Sequence, residues 1–114
     1  MEKIERTSRK YCKVYMDVRN HENGEHLGHM VDVTTQGLML LSEAPIHTDA
    51  VFHLEIFLPG EVEGRTRIIV SALSRWCKED ENPGFYNTGF EFRKVSPKDR
   101  HTIEQVIQKF CFKG

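Results

Sequence analysis

Apolar and polar residues alternate along most of this chain with the period of two that a half-buried strand requires. The clearest stretch is Val51 to Leu58, where Phe52, Leu54, Ile56 and Leu58 alternate with Val51, His53, Glu55 and Phe57, so the first set is expected to face a core. Upstream, Tyr11 to Val18 is rich in β-branched and aromatic residues. Asn23-Gly24 then offers the positive φ angles of a type I′ turn, which predicts that His26 to Thr34 returns antiparallel. A third strand runs from Gly37 to Leu41 and ends by Ala44-Pro45, because proline has no amide hydrogen for a ladder. Pro59-Gly60 and Gly64 mark the turn after the Val51–Leu58 strand, and Thr66 to Cys77 reads as a long fifth strand. After Asn82-Pro83-Gly84 a sixth runs from Phe85 to Phe92, with Tyr86, Thr88, Phe90 and Phe92 on one face.

The period then changes. Ser96-Pro97-Lys98-Asp99 supplies a serine N-cap, a proline at the first helical position and an acid three residues after the cap. A helix over about 97–111 follows, with Ile103, Val106, Ile107, Phe110 and Cys111 forming one apolar stripe. Six closely spaced strands and one C-terminal helix specify an all-β barrel or sandwich, with the helix covering it or closing one end. No repeat, low-complexity tract or linker interrupts the chain, which is expected to be one domain over 9–114 preceded by a loose arm over 1–8.

Composition narrows the classes of function. A chain of 114 residues holds one core and excludes a cofactor domain beside a substrate domain. Seven Phe, three Tyr and one Trp argue against disorder, and the longest apolar run, Leu38-Met39-Leu40-Leu41, is far too short to cross a membrane as a helix. Charges in Met1-Glu2-Lys3-Ile4-Glu5-Arg6 occupy the place of a signal peptide's apolar core, so a cytoplasmic location is expected. Cys12, Cys77 and Cys111 are odd in number, widely spaced and without a C-x-x-C pair, which fits neither a disulfide framework nor a cysteine zinc site. Residues 1–13 hold five Lys/Arg against two Glu, net +3, which leaves 11 Lys/Arg against 15 Asp/Glu, net -4, for the rest. That balance disfavours DNA or RNA as a partner and remains compatible with a small phosphate-bearing ligand.

Catalytic and metal chemistry find little support at this level. His21, His26 and His29 surround the first hairpin, but His26 and His29 are three apart and on a regular strand point to opposite faces, so solvated histidines and no metal are expected. There is no G-x-S-x-G elbow, the cysteines sit in packing contexts, and Glu61/Glu63 and Glu79/Asp80/Glu81 lie in turns where charge is solvated. No enzymatic activity is expected. Two polar runs remain: Arg9-Lys10-Tyr11-Cys12-Lys13 and Asp32-Val33-Thr34-Thr35-Gln36-Gly37. Arg9 and Lys13 are four apart at the entry to the first strand. Asp32 and Thr34 share a strand face, and Gly37 permits a close backbone approach. Together they can read guanine and phosphate, since guanine presents N7 and O6 to cationic donors and N–H groups to a carboxylate. The same residues also fit a solvated strand entry and a polar turn.

In order and spacing these two runs resemble the PilZ domain, a family of bacterial cyclic di-GMP receptors marked by R-x-x-x-R and, a strand pair later, [D/N]-x-S-x-x-G. Ile56-Phe57-Leu58-Pro59, the stretch ending Ser74-Arg75-Trp76, and Asn87-Thr88-Gly89-Phe90-Glu91-Phe92 are similar to further landmarks. The resemblance implies a six-stranded antiparallel β-barrel with a capping C-terminal helix. It also implies a cyclic di-GMP site built from Arg9, Lys10, Lys13, Asp32, Thr34 and Gly37, with Arg6 and Lys10 as an alternative register for the arginine pair. Lys13 stands where the family has its second arginine, and Thr34 where it has serine. Lysine keeps the charge without the planar fork, and threonine keeps the hydroxyl.

What the resemblance implies is a non-catalytic receptor in which the arm closes over the ligand and the altered surface engages an effector protein. The two departures support a second reading, an adaptor in motility or pilus assembly that no longer binds the nucleotide. A single-stranded nucleic-acid barrel would use the aromatic strands but conflicts with the negative charge outside the arm.

Overall fold

The computed structural model describes the backbone of residues 10–113 and the side chains of residues 14–111; the arm expected over 1–8 lies outside the described residues. Seven strands and a helix follow in the order β1 (Lys10–Asn20), β2 (His26–Val33), β3 (Gly37–Ser42), β4 (Val51–Val62), β5 (Arg65–Glu79), β6 (Tyr86–Phe92), α1 (Pro97–Phe110) and β7 (Cys111–Lys113). All pairings are antiparallel. Hydrogen bonding runs β2-β3-β6-β5-β4-β1 and closes on itself through β1 and β2, giving a six-stranded barrel, while β7 adds to the free stretch of β1. Closure removes the exposed edges that an open sheet of this length would present.

Residues from every barrel strand fill the interior: Met16, Val18, Met30, Leu40, Leu54, Ile56, Ile68, Val70 and Phe90 are all buried. The alternation seen in Val51–Leu58 holds, with Leu54 and Ile56 inward and Phe52 and Leu58 packed at the margin. Helix α1 lays Ile103 and Val106 onto this core and contacts β1, β4 and β7. Ser96 caps it, accepting a hydrogen bond from Asp99 N–H at 3.1 Å. The Arg65 guanidinium ties the first helical turn to the start of β5, reaching Asp99 at 2.7 Å and the buried Thr102 hydroxyl at 3.2 Å. Among the described residues no helix is long and apolar enough to cross a membrane.

Three local expectations are corrected. The helix ends at Phe110, and Cys111 begins β7, pairing with Cys12. Cys111 continues the helical stripe in sequence, yet its burial is equally satisfied by an extended backbone against β1. The first hairpin is a four-residue loop, His21 to Gly24, between Asn20 and Glu25, in which only Gly24 has positive φ; Asn20 and Asn23 cap it by accepting from Glu22 and Glu25 N–H. Two successive positive φ angles, the signature of a type I′ turn, occur instead at Glu63-Gly64, at 53° and 77°. Strand β4 accordingly passes through Pro59-Gly60, where the pairing with β5 is irregular and the missing proline donor does no harm.

The β5–β6 connection holds one titratable group away from its ordinary behaviour. Asn87 Nδ2 donates to Asp80 Oδ1 at 2.7 Å, and with the Asn82 amide this holds the Asp80 carboxyl below its usual 3.8. A depressed carboxyl contributes stability above its unfolded-state value and loses it as pH falls toward the folded one. The stability difference between wild type and Asp80→Ala should therefore be constant near neutrality and shrink as pH drops below the ordinary carboxylate range. Denaturant unfolding at several acidic pH values checks this, and a pH-independent difference would contradict it.

Candidate functional site

Two bulges build the site. On β2 both Met30 and Val33 are core residues, a spacing of three that an unbroken strand cannot place on one face. Val31 is the extra residue, since Met30 pairs with Leu40 and Asp32 with Met39. The phase change keeps Val33 inside and directs Asp32 and Thr34 to a cleft. On β5 the inward series Ile68, Val70, Ala72, Ser74 stops at Arg75, which is bulged between the pairs Ser74–Phe90 and Trp76–Gly89. Arg75 and Trp76 thereby form the opposite wall. Ser74 anchors this bend: fully buried, it donates to His47 C=O at 2.8 Å and so fastens the loop between β3 and β4.

The cleft between these walls has a volume of about 240 Å³, and Gly37, Gly89 and Glu91 are also among its lining residues. Both glycines are dictated by contact. A Cβ on Gly37 would fall 2.1 Å from Phe90 O, and one on Gly89 would fall 2.4 Å from the Trp76 indole, which packs closely against that backbone. Three hydrogen bonds tie the turn carrying Thr34: Thr34 N–H donates to Gly37 C=O at 2.8 Å, Thr34 Oγ1 accepts from Gln36 N–H at 3.0 Å, and Gln36 C=O accepts from Phe92 N–H at 2.9 Å. Thr34 thus keeps its hydroxyl hydrogen available for a ligand acceptor.

Charge in the cleft is arranged asymmetrically. Asp32 is 3% exposed, so its carboxylate is an acceptor sheltered from bulk water. Arg75 meets Glu91 at 3.6 Å, but both side chains are 57% exposed, a pairing of small net value that leaves the guanidinium able to turn to an anion. An indole face, a guanidinium and a buried carboxylate suit a flat heterocycle that donates N–H groups and carries negative charge nearby.

Of the residues singled out in the sequence, Asp32, Thr34 and Gly37 line one wall of this cleft. The backbone of β1 runs beside them, with Lys10 opposite Val33 and Tyr11 opposite Asp32, and Lys13 falls in the stretch between Tyr11 and Met16 where the register of β1 against β2 shifts. Arg6 and Arg9 lie outside the described residues. Arg75, Trp76 and Glu91 were not anticipated as site residues, although Arg75-Trp76 and the Gly89 segment already stood out as family landmarks.

The expectation that His26 and His29 face apart is overturned. Gly28 pairs with Val18 and His26 with Arg19, so Leu27 is bulged and the two imidazoles emerge on one face, 5.3 Å apart between ring centroids. Asp17 contacts both. His21 faces Glu55 instead, and His53 faces Glu22.

The family model of the PilZ domain matches residues 4–109, and the chain belongs to that family. Among solved structures it is similar to the PilZ domain of YcgR from Escherichia coli with c-di-GMP, at 16% identity and a TM-score of 0.71, covering 95% of this chain and 92% of that one. It is also similar to the Bacillus subtilis inhibitor of motility MotI/DgrA, at 17% identity and a TM-score of 0.71 over 95% of this chain. A third likeness is to the K. pneumonia MrkH–c-di-GMP complex, at 16% identity and a TM-score of 0.71 over 92% of this chain. The chain spans about half the length of MotI and of MrkH, 52% in each case. No curated protein matches the sequence.

Proposed function

We propose that the protein is a non-catalytic receptor for cyclic di-GMP. One observation carries this reading: the sheltered Asp32 carboxylate faces Arg75 and the Trp76 indole across a cleft that lies beside the basic start of β1. YcgR and MrkH, whose solved structures contain c-di-GMP, share the fold. Asp32 accepts from guanine N1–H and N2–H, Thr34 donates to a base or phosphate oxygen, and Gly37 leaves room for close approach. Trp76 and Arg75 stack on a base, and Arg9, Lys10 and Lys13 neutralise phosphate, with Arg6 and Lys10 as the other register. The ligand is bound and released unchanged. Closure of the residues preceding β1 alters the surface seen by an effector protein.

Calorimetric titration with cyclic di-GMP tests the reading, with cyclic di-AMP as the control that lacks guanine's donors. Saturable binding of the first alone supports a receptor. Absence of binding would favour the adaptor that the Lys13 and Thr34 departures suggest. In the Arg9/Lys13 register, Lys13→Arg tightens binding by about 1 kcal/mol through the forked contact, and Lys10→Arg is nearly neutral. In the Arg6/Lys10 register the two outcomes exchange. Amide exchange across residues 3–13 should slow when ligand is added; unchanged rates would remove arm closure from the mechanism.

A further inference from the structure

We propose that Asp17, His26 and His29 form a binding site for one borderline divalent cation, of which Zn²⁺ is the representative. This is separate from the nucleotide cleft and does not rest on its assignment. Among the described residues these three make a cluster whose ligand atoms all lie within 4.8 Å of one another. His26 Nε2 contacts Asp17 Oδ1, and His29 Nε2 lies 3.9 Å from the same oxygen. Ligand atoms around a tetrahedral ion with bonds of 2.0–2.2 Å sit roughly 3.4 Å apart, so small side-chain rotations bring the three into place.

The backbone supplies an independent reason to regard the cluster as built. Asp17 pairs with His29 across β1 and β2, which fixes one carboxylate and one imidazole on the same face. His26 joins them only through the bulge at Leu27, and that bulge is held by Gly28, whose absent Cβ would meet Leu41 O at 2.5 Å. The bulge thus places a second imidazole where a regular strand would have placed none. Arg19 Nε approaches Asp17 Oδ2 at 3.4 Å, which occupies the outer carboxylate oxygen and turns Oδ1 toward the histidines. Two imidazole nitrogens and one carboxylate oxygen select Zn²⁺-class ions over Mg²⁺ or Ca²⁺, which prefer oxygen alone. The imidazoles are nearly half exposed, so water completes the coordination. Bound metal would cross-link β1 to β2.

The test uses the full, tag-free chain stripped with a chelator and titrated calorimetrically with ZnCl₂, with MgCl₂ as control. The expected result is one saturable Zn²⁺ site per chain and no saturable Mg²⁺ site. Asp17→Asn should weaken it by roughly tenfold or more. His26→Ala/His29→Ala should abolish it, while His47→Ala, altering an imidazole outside the cluster, leaves it unchanged. Co²⁺ substitution should give visible absorption bands that vanish in the double variant. No saturable Zn²⁺ binding by wild type, or full binding retained by both Asp17→Asn and the double variant, would overturn the site.

Discussion

Asp32→Ala should weaken cyclic di-GMP binding by about 1–3 kcal/mol, and Trp76→Ala by a similar amount, each a loss of roughly one to two orders of magnitude in affinity. The two act through different chemistry. Asp32 is a sheltered acceptor, so on the proposed reading its removal would leave guanine N–H donors without that acceptor in a place that water reaches poorly. The Trp76 indole packs against Gly89, and on the proposed reading its removal would take away stacking area while leaving the polar contacts in place. Because both line one cleft, their effects need not add. Isothermal titration of the two single variants and the double variant measures this. Wild-type affinity in both single variants would move the nucleotide to another part of the barrel.

A stability effect of comparable size is expected at Gly37. A methyl group there would collide with Phe90 O and press on Glu91 Cα at 3.3 Å, and these are backbone atoms of the adjacent strand that no rotamer change can clear. β3 and β6 would have to separate at a fully paired stretch. Gly37→Ala should therefore cost about 2–3 kcal/mol and lower Tm by about 8–20 °C. Gly60→Ala is the matched control, because a Cβ there has nothing within 4 Å. Thermal unfolding of the two variants decides the matter; equal midpoints would show that close packing at Gly37 is not what demands glycine. Gly89→Ala differs in kind, since its methyl would displace the Trp76 ring and register in ligand affinity.

Much of the barrel was legible because alternation in Val51–Leu58 and the Ser96-Pro97 cap are local signals, written within a few residues of the structure they specify. Bulges are not local in that sense. Val31, Leu27 and Arg75 each insert one residue opposite a partner strand, and a single insertion reverses which face every later side chain takes. Period-two counting therefore misplaced His26 relative to His29, and it offered no reason to put Arg75 and Trp76 beside Asp32. Asp32, Thr34 and Gly37 could be found because they lie within six consecutive residues, at the end of β2, in the turn and at the start of β3. Their opposite wall comes from β5 and β6, distant in sequence and brought beside them by the pairing of β3 with β6 and of β6 with β5. Cys111 shows a different limit: one buried position served the helical stripe and the short strand equally well.

Titration of ¹⁵N-labelled protein with cyclic di-GMP, followed through the Trp76 indole Nε1–H and the backbone amides of Asp32, Thr34 and Gly37, locates the nucleotide directly. Saturable shifts should be concentrated at these groups and at Gly89, with the β4–β5 turn at Glu63 and Gly64 unmoved. Saturation without movement at Trp76 and Gly37, or no shifts at all, would contradict a nucleotide site in this cleft.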